Sequence, residues 1–229
     1  MTVQFFSLLG AVVLLWFPRL WLRRGLSVLR PRRRSVKNPL ITEPWREREP
    51  GDPQINFRAE FAKGSNCADL LRAGIGGLLL WGGLGFSPAL TAADDASRWA
   101  GWLLLALQAI VLLAGLLIQT IRNEKDRLSF FPPIFYLAGL SVALCDARGA
   151  AFAFVLIWAM SPSLPNARGF LSVYALLMIV FGRFFGGAGL PALVLAGGLT
   201  FLPVLLSLLA NRPLTVFSRR SHPRTGSHA

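Results

Sequence analysis

The stretch WAGWLLLALQAIVLLAGLLIQTI, residues 99 to 121, runs for 23 residues without a charge. At 1.5 Å per residue a helix of that length extends about 34 Å, which matches the hydrocarbon core of a bilayer. Several further apolar runs follow the same pattern. With 54% hydrophobic and 15% charged residues in 229, the chain has too little polar surface for an ordinary soluble domain. The expected fold class is all-α, a polytopic transmembrane helical bundle with about seven hydrophobic segments. Five spans plus a re-entrant hairpin is the alternative.

The segments are expected at Val3–Phe17 (extending to Leu22 if it spans), about Asn66–Phe86, Trp99–Ile121, Phe130–Cys145, Gly149–Met160, Gly169–Gly182 and Gly189–Ala210. The fifth and sixth are shorter than a normal span, and these would make the re-entrant pair. Residues 3–22 either span or lie in the interface, with Trp16 and Trp21 at headgroup depth. Gln108 and Gln119 in the third segment are expected to form interhelical hydrogen bonds. Pro203 is expected to kink the seventh segment.

The formal charge of +13 would suggest nucleic acid in a soluble protein. Its position argues otherwise, because 13 of the 24 basic residues lie between Arg19 and Arg72, beside the first apolar runs. Basic residues in short loops set orientation in a membrane. Arg23, Arg24, Arg30, Arg32, Arg33, Arg34 and Lys37 therefore mark a cytoplasmic, lipid-surface segment that attracts anionic headgroups. Pro39, Pro44, Pro50 and Pro53 follow in an extended linker, with Phe57 and Phe61 available to dock it.

The organisation expected is an N-terminal membrane anchor at 1–22, a basic and then proline-rich cytoplasmic linker at 23–65, a helical bundle at 66–211 and a basic cytoplasmic tail at 212–229. The N-terminus would lie outside and the C-terminus inside an inner membrane of bacterial type. Nucleic acid is not an expected partner. Membrane lipids and other membrane subunits are.

The second segment opens with SNCADLLRAG, where Ser65 or Asn66 can cap and Asp69 suits the first turn of a helix. Its glycines, Gly74 and Gly77 among them, remove side-chain bulk and suit close helix packing in lipid. Gly182 and Gly186 make a GxxxG spacing near the end of the sixth segment, which suits close helix packing as well. Cys67 and Cys145 are expected to be free thiols on opposite sides of the membrane.

Charges inside the apolar region are few, and so each one counts. DARG at 146–149 and NARG at 166–169 form a weak repeat 20 residues apart. Each copy is read as a capping side chain, a basic group at the headgroups and a glycine permitting a reversal. Asp146 and Arg148 are expected at a solvated outer turn; the rival reading holds them below the surface, serving a substrate or proton path. Arg168 and Arg183 are the other candidate functional charges, and Arg183, set among aromatics, can reach phosphate or lie against Phe184 or Phe185.

DARGA also resembles a local SRGA-like turn of the O-antigen ligase and polymerase membrane proteins. The resemblance covers five residues, and those families have more spans and a substantial outer loop. It implies a lipid-linked transferase as one function class.

Both histidines, His222 and His228, lie in the polar tail, so none is available at membrane depth as a base or ligand. The chain holds no nucleophile elbow, P-loop, dinucleotide fingerprint, HExxH or CxxC. No catalytic residue, metal site or cofactor is expected. The preferred function is a non-catalytic accessory or assembly subunit of a membrane or envelope complex. A small transporter with an anion-facing site and a lipid-linked transferase are the alternatives.

Overall fold

A computed structural model describes residues 4–18, 61, 63–83, 95–124, 127–164, 166–185, 189–210 and 214. They form seven α-helices: α1 Phe5–Trp16, α2 Gly64–Gly83, α3 Asp95–Thr120, α4 Ile134–Cys145, α5 Ala147–Met160, α6 Ala167–Phe185 and α7 Leu190–Leu209. A short antiparallel hairpin, β1 Ile121–Glu124 and β2 Arg127–Phe130, joins α3 to α4 and pairs Ile121 with Phe130. Leu214 bridges to Phe130, returning the chain after α7 to that hairpin.

Three helical stretches are long and apolar enough to cross a membrane: Trp99–Thr120 in α3, and all of α6 and α7. Helix α6 therefore departs from the expectation of a short segment. It extends past Gly169 and Gly182 to 19 residues, or about 28 Å. Helix α5, with 14 residues, is short as expected, and the apolar helices α1 and α4 are shorter still at 12 residues each.

Helix α4 is the hub. Nine of its 12 residues are buried, on every side of the helix, which identifies it as the central element. Pro132 and Pro133 precede it, where missing amides do least harm. It runs beside α2 in the same direction, Gly74 meeting Gly139 and Gly77 meeting Ala143. The contact is backbone-close: a Cβ at Gly77 would stand 2.7 Å from the Ala143 Cβ, and one at Gly139 would strike the Leu70 carbonyl oxygen. Small residues let helices approach this closely where lipid offers no hydrophobic drive.

Helices α5 and α6 run antiparallel along nearly their whole length. Gly149 touches Gly182 at one end, Phe154 and Tyr174 lie 6.4 Å apart in the middle, and Trp158 meets Phe170 edge-on at 5.8 Å at the other. Helix α7 returns along α6, with Gly197 against Ile179 and Arg168 bonded to Ser207. Pro203 lies buried inside α7, which continues through it to Leu209.

These contacts give the bundle two ends. One gathers Phe17, Phe61, Gln119, Phe135, Trp158 and Phe170; the basic run follows Phe17 in sequence, so we call it the basic end. The far end gathers Cys145, Asp146, Gly149 and Gly182. Much of α3 faces outward, with Trp99, Trp102, Leu103 and Ile110 exposed. In lipid, such a face meets acyl chains.

Candidate functional site

The four expected charges do not converge. Asp146 and Arg148 are exposed at the single-residue break between α4 and α5, and Arg183 is exposed in the last turn of α6, also at the far end. Arg168 is half-buried at the basic end, where its Nε donates to Ser207 Oγ at 3.1 Å. Gly74, Gly77 and Gly182 lie at helix contacts. Gly186 lies outside the described residues, as do Arg23, Arg24, Arg30, Arg32, Arg33, Arg34 and Lys37.

The DARG turn is built differently from the sequence reading. Asp146 itself takes the reversal, at φ 69° and ψ 151°, a region otherwise left to glycine. Its side chain does not cap α5; its carbonyl accepts the Ala150 amide at 3.0 Å instead. Gly149 lies inside the helix and serves contact with Gly182. The second copy is only partly equivalent. Asn166 accepts from the Phe170 amide in the same way, but a Cβ at Gly169 would meet open space.

The buried charge lies elsewhere, on α2. Asp69 and Arg72 form an ion pair of 2.9 Å, with side chains 2% and 7% exposed. Asp69 is thus not in the first turn: α2 begins at Gly64, which places it in the second turn and inside the bundle. The guanidinium of Arg72 also lies 5.4 Å from the centre of the Tyr136 ring and donates to the Phe17 carbonyl.

That carbonyl is the focus of the site. The last carbonyls of a helix have no partner within it and carry partial negative charge. Helix α1 stops here because Pro18 disfavours helical geometry at Phe17, whose ψ is 119°. Donors from three other helices converge on the end: Arg72 of α2, Gln119 of α3, whose Nε2 reaches the Phe17 oxygen at 2.9 Å, and Tyr136 of α4, whose hydroxyl donates to Leu15 at 3.1 Å. The indole of Trp16 reaches across to the Val111 carbonyl at 3.0 Å. One cation, one amide and one phenol hold the end of α1.

Sequence reasoning placed Arg72 in the second segment but did not single it out as a functional charge. A signal was present in the spacing, because Asp69, Arg72, Ala73, Gly76 and Leu80 share one helical stripe, and all five are buried. Gln119 forms the expected interhelical bond. Gln108 is fully buried on the inner face of α3, and its amide makes no hydrogen bond among the described residues.

Both cysteines are free, Cys67 beside Phe61 at the basic end and Cys145 buried at the far end. Among the described residues no three His, Cys, Asp or Glu side chains gather to hold a metal. Comparison with protein-family models, curated proteins and solved structures finds no match for this chain.

Proposed function

We propose that the protein is a polytopic inner-membrane bundle of seven membrane helices without catalysis, acting as an accessory or assembly subunit of a membrane or envelope complex. Its N-terminus lies outside and its C-terminus inside. The observation that carries the reading is the use made of the buried charge: Arg72, Gln119 and Tyr136 fasten the end of α1, one residue before Pro18. The basic run then starts from a fixed point on the bundle. Fixing the root of a polybasic segment suits a protein that presents it to anionic headgroups or to a neighbouring subunit.

The distribution of the remaining charge supports the same reading. A transporter needs ionisable groups gathered at mid-depth, whereas Asp146, Arg148 and Arg183 lie at one end and Arg168 at the other. Helix α5 supports spanning, since it follows α6 from Gly149 to Trp158 despite its 14 residues.

Purification of the full chain from native membranes in mild detergent, after cross-linking in the cell, tests the proposal. A stoichiometric partner subunit is expected. Recovery of monomer and lipid alone overturns it.

A further inference from the structure

At the far end, the α5–α6 contact brings an arginine above an exposed aromatic surface. Arg148 and Phe152 are one turn apart on the same face of α5. Phe152 stacks on Phe185 of α6, with centroids 4.6 Å apart and planes at 14°, and Phe185 stacks on Phe181 at 5.8 Å. Phe152, Val155 and Phe185 remain exposed. Arg183 stands on the other flank of α6, beside exposed Phe184.

The glycine pair fixes how far apart the two charges sit. A Cβ on Gly149 would be 2.9 Å from the Gly182 Cα, so, with 3.8 Å between successive Cα atoms, Arg148 and Arg183 have Cα atoms within about 12 Å. Among the described residues neither arginine has an ion-pair or hydrogen-bond partner. The exposed carboxylate of Asp146 is two residues from Arg148, and does not pair with it. Arg148 thus stands over an apolar aromatic ridge at the end of a membrane-length helix, with Arg183 close by on the other flank of α6. A phosphodiester headgroup satisfies the cations while its acyl chain lies on the ridge.

We propose that this face binds an anionic phospholipid of the far-end leaflet, its phosphate at Arg148 with Arg183 as second contact, and an acyl chain along Phe152, Val155 and Phe185. The inference rests on the reading of α6 as a membrane span. It is independent of the polybasic run, which belongs to the opposite end.

The test uses the full chain with Cys67 and Cys145 replaced by serine and alanine and a fluorophore on Phe184→Cys, reconstituted in phosphatidylcholine vesicles. Quenching is compared between spin-labelled phosphatidylglycerol and spin-labelled phosphatidylcholine. Preferential quenching by phosphatidylglycerol is expected, falling about fivefold for each arginine removed in R148Q and R183Q. R148K/R183K, which keeps the charge, should retain the preference. Equal quenching by the two lipids, an unchanged preference in R148Q/R183Q, or displacement by inorganic phosphate overturns the inference. No quenching by either lipid overturns the membrane placement on which it rests.

Discussion

Replacing Arg72 by methionine removes a cation but keeps much of the packing volume. The loss has two parts. Asp69, 2% exposed in its side chain, would be left as a buried carboxylate without its cation, a change that costs about 3–5 kcal/mol. The charged hydrogen bond to Phe17 disappears as well, and such bonds contribute about 1.5–3 kcal/mol. Because the two terms share one side chain they overlap, and a total near 5 kcal/mol is expected. Adding Asp69→Leu removes the stranded carboxylate and should recover about 3 kcal/mol, since an apolar pair of similar volume often replaces a buried ion pair without loss. Thermal and denaturant unfolding in a fixed detergent micelle would give the cycle, and a cysteine cross-link between positions 7 and 79, where the Ser7 hydroxyl of α1 donates to the Leu79 carbonyl of α2 at 3.2 Å, would report whether α1 stays docked. If R72M melts with wild type, or if the double variant is no better than R72M, the pair is not the fastening described here.

The other predictions address the turn, the glycine contacts and the thiols. Asp146→Gly relieves a backbone conformation that costs about 1–3 kcal/mol; offset by the greater freedom of glycine in the unfolded chain, it should raise the melting temperature by about 2–4 °C, and a lower value would argue against strain at this turn. Gly139→Ala should destabilise by more than the 1–3 kcal/mol typical of overpacking, because its methyl group meets the Leu70 carbonyl. Gly169→Ala faces open space and should be neutral or stabilise by up to about 1 kcal/mol; equal effects at the two sites would refute the packing account. Cys145, fully buried, should resist a membrane-impermeant thiol reagent until denaturation, while Asp146→Cys in a Cys145→Ala background should react quickly with reagent at that face. Fast labelling of native Cys145 would contradict its burial.

Helix positions were legible because apolar length and punctuation act locally. Proline stops α1 at Phe17, Pro132 and Pro133 introduce α4, and the polar break SPSLPN separates α5 from α6. The centrality of α4 was not legible, since an apolar helix facing lipid and one surrounded by helices have the same composition. Only α2, α5, α6 and α7 arranged around it distinguish the cases. The site failed for a related reason. Charge in a sequence reads as a surface, and Arg72, near the start of the second segment, was counted with the basic residues before it and not as a buried group. Its burial depends on a carbonyl 55 residues away that has no side chain and so leaves no trace in composition.

That last point bears on how the two ends of the bundle differ. At the far end helices are held by what is absent, since Gly149 and Gly182 meet only because neither has a side chain. At the basic end they are held by a cation reaching a helix terminus. Small-residue contacts set how closely two helices approach, since one methyl group at such a point would clash. A guanidinium on one carbonyl fixes both depth and rotation. Displacing Phe17 by one residue along α1 would move its carbonyl about 1.5 Å and break the bonds from Arg72 and Gln119 together. The register of α1, and hence the position of Phe17 at its end, is set at that carbonyl rather than by the apolar length of the helix.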